Sequence, residues 1–184
     1  MRSLRPGERR RLRVQMKEPQ MSGLSRRELG VDPWMDDPRR ARGINAFAVE
    51  FAVRYMVEAS ALFGHDYDCA MIFLGVLEAN GRQNIRTSLF REVYADVRVA
   101  IPPELARPMS RQAIALALGM ARETVRRKID KLIKLGFLVE APGGGVITSR
   151  EVITRPDFLA AQERAVDYVR RFRSDLIEYV STPM

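Results

Sequence analysis

Residues 109–149 read MSRQAIALALGMARETVRRKIDKLIKLGFLVEAPGGGVITS. Ser110 suits a helix N-cap, because its hydroxyl can accept an orphan backbone N–H of the first turn. The following helix is expected through Leu118, with Ile114, Ala117 and Leu118 facing inward. Gly119 supplies the tight turn, where a positive φ is common. A second helix is expected from about Ala121 to Leu135. Its residues Val125, Ile129, Leu132 and Ile133 fall within about a third of the circumference and form a core face. Glu123, Arg127, Asp130 and Lys134 project from the opposite side, Arg126 and Lys128 flank it, and Arg122 lies at the N-terminal end. Gly136 ends the helix as a C-cap glycine.

Phe137-Leu138-Val139 then reads as a short strand, and Val146-Ile147-Thr148 as its return. Pro142 and Gly143, Gly144 and Gly145 form the tip. Neither a Lys-Ser/Thr pair nor a helix follows the glycines, which argues against a nucleotide-binding loop. Helix, turn, basic helix and hairpin in this order describe a winged helix-turn-helix, whose basic helix fits the DNA major groove.

The rest of the chain supports that reading. The 184 residues carry a net charge of +8. Residues 1–43 hold +6 of it and residues 101–150 hold +5, while residues 44–100 and 151–184 are slightly acidic. Positive charge clustered in this way is the footprint of a polyanion partner. Cys69 is the single cysteine, so neither an intramolecular disulfide nor a cysteine-based zinc site can form. The N-terminus has basic residues but no apolar run after them, and the longest unbroken apolar run, Cys69 to Leu77, is too short to span a bilayer. A soluble, cytoplasmic protein without a membrane partner is expected.

Residues 1–43 are rich in Arg and Pro with few apolar residues, and are expected to be a basic flexible arm. Residues 44–100 are expected to be a helical core and dimerisation region. Its first helix, over 44–63, is apolar on more than one side and must be covered by something. A second helix is capped by Asp66 or Asp68 and stops at Asn80-Gly81. A third is expected over Thr87 to Val97. Residues 101–150 form the winged domain. Residues 151–184 carry an amphipathic helix over 157–180, with Phe158, Ala161, Ala165, Tyr168, Val169, Phe172, Leu176, Tyr179 and Val180 in one stripe. That stripe is expected to pack on a second copy. The fold class is therefore mainly α: a winged helix-turn-helix with extra N- and C-terminal helices.

The segment resembles the DNA-binding domain of Crp/Fnr-type regulators and, more loosely, MarR- and GntR-type winged helices. Arg122-Glu123-Thr124-Val125-x-Arg127 matches the Crp-type recognition helix, and Ser110-Arg111-Gln112 resembles the start of the helix before it. The resemblance implies that Arg122, Glu123 and Arg127 read base edges and that Ser110, Arg111 and Gln112 hold phosphates. The chemistry agrees, since Arg suits guanine O6/N7 and Glu can accept from cytosine N4. Wheel positions alone add Thr124, Arg126 and Lys128 as phosphate contacts. There are two departures from the family pattern. Ala121 stands where the Crp type usually has a capping Ser. Nothing before residue 100 resembles a cyclic-nucleotide β-roll, so neither a cyclic-nucleotide ligand nor an iron–sulfur cluster is expected.

His65, Asp66, Asp68 and Cys69 lie close together, but a catalytic zinc needs three protein ligands and His65 is the only histidine. A loop and an N-cap are the expected reading, with no metal, no cofactor and no catalytic residue. The function expected is a homodimeric regulator that binds double-stranded DNA sequence-specifically. The alternatives are a winged-helix protein-interaction module and a plasmid replication or maintenance protein. The basic face of Arg122, Arg126, Arg127, Lys128, Lys131 and Lys134 favours DNA over the first. No residue demands a small-molecule effector between the helices of residues 44–97.

Overall fold

The computed structural model describes residues 37–82, 87–94, 96, 98, 99 and 101–182. The chain divides into two units, Met1–Arg42 and Gly43–Met184. The basic arm expected over 1–43 lies outside the described residues except at its end. There Asp37 accepts hydrogen bonds from the backbone and guanidinium of Arg39.

Six α-helices and one hairpin make up the described fold: α1 (Ala41–Ala61), α2 (Tyr67–Gly81), α3 (Ser88–Val93), α4 (Arg111–Leu118), α5 (Arg122–Lys134), β1 (Leu138–Glu140), β2 (Val146–Thr148) and α6 (Pro156–Ser181). Short 3-10 turns at Pro103–Leu105 and Arg150–Thr154 join them. This is the mainly α, winged helix-turn-helix class read from the sequence.

Helix α2 is the centre of the second unit. Its apolar run supplies Cys69, Ala70, Ile72, Phe73 and Val76, all buried. It packs on α4, α5 and β2. The interior is closed by Ile114, Val125, Ile129, Leu132, Leu138, Val146 and Val152. Four aromatic rings meet there. Phe73 stacks edge-on against Phe63, Phe137 and Phe158, and Phe63 lies 4.6 Å from Phe137. Offset contacts of this kind are favourable beyond the area they bury. The Arg155 guanidinium covers the Phe137 ring at 4.1 Å, a cation–π contact.

Caps set the helix limits. Asp66, Thr87 and Ser110 accept the N–H three residues on, at the starts of α2, α3 and α4. At the end of α5, Phe137 N–H bonds Leu132 C=O and Gly136 N–H bonds Ile133 C=O. These two bonds form a Schellman motif. They hold Phe137 to the helix, so β1 begins at Leu138 rather than at Phe137. Helix α3 stops at Val93 instead of reaching Val97. Past it, the Asp96 carboxylate accepts the Arg98 N–H, a local bond that competes with the helix ladder.

The hairpin pairs Leu138 with Thr148 and Glu140 with Val146. Met109 bridges to Val146 through two backbone bonds and so ties the start of α4 to the wing. Gly145, at φ +84°, lies against this bridge, and a Cβ there would meet the Met109 carbonyl oxygen at 2.9 Å. Buried Asn80 ties α2 to both: its amide donates to Arg107 C=O, just before α4, and its oxygen accepts from Thr148 N–H of the wing, both at 2.8 Å.

Helices α1 and α6 run side by side. Phe47 meets Tyr179, Phe51 meets Phe172, and Glu58 accepts from Arg164 at 2.7 Å. Tyr168, Phe172 and Tyr179 of the α6 stripe thus meet α1 of the same chain. Val169, another member of the stripe, is half exposed.

Candidate nucleic-acid interface

Helix α5 is anchored by Val125, Ile129 and Leu132, each fully buried. Helix α4 holds it at a fixed angle through the turn at Gly119, whose φ is +64°. Residue 121 is the N-cap position of α5, and as an Ala it makes no side-chain capping bond. The N-terminal end of α5 is therefore open, with Arg122 and Glu123 exposed there.

The sequence-predicted residues fall into two groups. Among the described residues, the side chains of Arg122, Arg127 and Gln112 are exposed and have no hydrogen-bond or ion-pair partner; Lys134 is the same. Thr124 is half-buried beside them. The others are held by intramolecular bonds. Ser110 Oγ is occupied by the cap bond from Ala113 N–H at 3.1 Å. Arg126 bonds both oxygens of Glu123, at 2.6 and 3.0 Å, and Asp130 at 3.1 Å. Arg111 bonds Glu140 at 2.6 Å and Asp130 at 3.3 Å. A chain of charges, Glu123–Arg126–Asp130–Arg111–Glu140, thus links the recognition helix to the start of α4 and to the wing. The hydrogen bond from Arg126 holds the Glu123 carboxyl below its usual range, and the bond to Glu140 raises Arg111 further.

Lys128 departs from the position expected for a phosphate contact. Its side chain is only 18 % exposed, and its ammonium lies 2.6 and 2.7 Å from the two oxygens of Asp66. Lys131 reaches the same carboxylate at 2.9 Å. Burial disfavours the Asp66 charge, but the hydrogen bonds from Lys128 and Lys131 outweigh it and hold the carboxyl well below the usual range. Beneath it, burial and the adjacent Asp66 push the Cys69 thiol up to about 11.

Gly143, Gly144 and Gly145 form the exposed to half-exposed wing tip, all at positive φ. A groove of about 720 Å³ separates the tip from α2 and the start of α4, and Arg82, Arg107 and Ser110 line it. Arg107 is a cation that sequence reasoning did not name; it precedes the recognisable motif by three residues. Glu140 and Asp130, as partners of Arg111, were also missed, because the contacts join distant parts of the chain. The cleft between α1, α2 and α6, beside Tyr55, Leu62 and Phe73, has about 20 Å³ of free space, on the order of one water molecule. Among the described residues no group of three His, Cys, Asp or Glu is placed to hold a metal ion, and no helix is long and apolar enough to cross a membrane.

Residues 108–138 match the family model described as bacterial regulatory proteins, crp family. Over this range the segment is similar to the helix-turn-helix of that family. The match runs from just before α4 through the turn and α5 to the first residue of β1. No curated protein and no solved structure matches the chain. The Crp-type segment supports a DNA-binding regulator, and its anchored α5 with an exposed basic face is the part that would meet a nucleic acid.

Proposed function

We propose that this chain is a homodimeric, sequence-specific transcription regulator that binds double-stranded DNA through α5. The observation that carries the reading is the division of cations on α5. Among the described residues, Arg122 and Arg127 make no hydrogen bond or ion pair, whereas Arg126 and Lys128 are tied down. An unpaired, exposed guanidinium on a rigid helix is ready for the bidentate contact to guanine. Glu123, oriented by Arg126 at the helix N-terminus, would accept from cytosine. Gln112 and Thr124 flank these readers and would contact phosphates, which fix register rather than sequence; Ser110, Arg111 and Arg126 would do so with the donors that their intramolecular bonds leave over. The wing tip would follow the backbone or minor groove, and the basic arm of residues 1–43 would add salt-sensitive affinity.

For the second copy, α1 offers the better surface. Val49, Val53 and Val57 recur every fourth residue and are 44–57 % exposed. The nearby charges are paired within the chain, Glu50 with Arg54 and Glu58 with Arg164. A chargeless ridge of this kind can meet its own symmetry mate without like-charge conflict, as an isologous contact requires. Val166, Val169 and Ile177 of α6 are similarly exposed. The homodimer proposed here therefore uses what the α1–α6 pairing leaves uncovered.

Selection of bound duplexes from a random pool tests the reading. Replacing Arg122 and Arg127 with Ala is expected to cost about 1–3 kcal/mol per lost guanine contact on the selected site. Unchanged affinity of the double variant would remove both residues from base reading.

A further inference from the structure

Asp66 lies outside the Crp-type segment, yet it holds the recognition helix. Its carboxylate receives Lys128 on both oxygens, Lys131 on one, and the Cys69 N–H at 3.2 Å. Lys128 also comes within 3.7 Å of Asp68. The side chains of Asp66 and Lys128 are 16 % and 18 % exposed, so salt screens their attraction less than it would on an open surface. The carboxylate itself is placed firmly. It caps α2, the core helix, and the preceding Gly64 and His65 both take left-handed φ values of +65° and +63°. His65 is the only non-glycine residue with a positive φ among those described.

On the reading of α5 as a DNA-recognition helix, we propose that Asp66 is a positioning residue that sets the sequence specificity of that helix. It acts in two ways. It fixes the middle of α5 to the N-terminus of α2, on the side away from the Arg111–Asp130–Arg126 chain, so the helix is held from both flanks. It also withdraws two ammonium groups from the pool of cations available to phosphate. Lysine attraction to phosphate is independent of sequence and raises binding to every duplex alike. Specificity is the ratio of the two affinities. With Lys128 and Lys131 neutralised, Arg122, Arg127 and Lys134 are left as the unpaired cations of α5 among the described residues, and the arginines are the two at its N-terminal half.

The test uses Asp66→Ser in the full chain, because serine keeps the α2 cap while removing the carboxylate. Affinity for the selected duplex and for a random duplex is measured across a salt series. The preference for the selected duplex is expected to fall about tenfold or more. The salt slope on random DNA is expected to steepen by about one to two as the lysines are released. Lys128→Met, which retains the apolar stem, is expected to leave the slope on random DNA at the wild-type value. An unchanged preference and slope in Asp66→Ser overturns the proposal. So does a slope in Lys128→Met lower by about one, the mark of a lysine on phosphate. Failure of the DNA reading itself is distinguishable: the wild-type protein would then prefer no duplex in the pool, and both readings fall together.

Discussion

Ala121 is the position at which this chain departs most clearly from a well-capped recognition helix. Its φ and ψ, −61° and 134°, are those of an N-cap, but no side-chain oxygen is there to use them. Ala121→Ser is therefore expected to stabilise the fold by about 1 kcal/mol, measured by urea denaturation; no gain would mean that water already satisfies the open N–H groups. Asp66 has the opposite character, since one carboxylate meets several donors. Its pKa is depressed in the folded state, so its stabilisation is complete above the unfolded value of about 4 and is lost as pH falls further. The stability difference between wild type and Asp66→Ser is expected to shrink as pH falls below that value in acid denaturation, whereas a constant difference would show that the lysines add nothing. Cys69, fully buried and with its thiol pushed up to about 11, is expected to resist thiol reagents at pH 8 until the chain unfolds.

At the scale of elements, what was legible in the sequence was what is encoded within four or five residues. Ser110, Asp66 and Gly119 each mark a helix limit by their own chemistry, and the core face of α5 follows from the spacing of Val125, Ile129 and Leu132. The α3 end and the β1 start were misplaced because the local bonds of Asp96 and the Schellman bond of Phe137 competed with the simple period. Pairings across long sequence separations were not legible. Nothing in the sequence joins Asp66 to Lys128, or Arg111 to Glu140, until α2 and the hairpin are folded against α5. Helix α6 was read correctly as amphipathic, but the same stripe suits a neighbour in its own chain as well as a second copy, and Phe51–Phe172 contact shows the former. The proposed dimer contact uses Val49, Val53 and Val57 of α1, within the region 44–100 expected to dimerise, together with the exposed Val166, Val169 and Ile177 of α6. Val53→Glu is expected to shift the protein from dimer to monomer in sedimentation while its helical circular dichroism stays unchanged. A dimer that persists would place the contact elsewhere.

At the scale of the whole molecule, a rigid winged unit is built around α2, with the charge chain on one flank of α5 and Asp66 on the other. Arg122 and Arg127 remain exposed at the outer face. A two-fold dimer of such units would set two recognition helices about one helical turn of DNA apart. The most direct measurement is the ratio of affinities, at physiological salt, for a duplex selected from a random pool and for the same duplex scrambled. A base-reading α5 is expected to give a preference of about a thousandfold or more, for a site with two-fold related halves. Equal affinity for the two duplexes would contradict it, whatever the strength of binding.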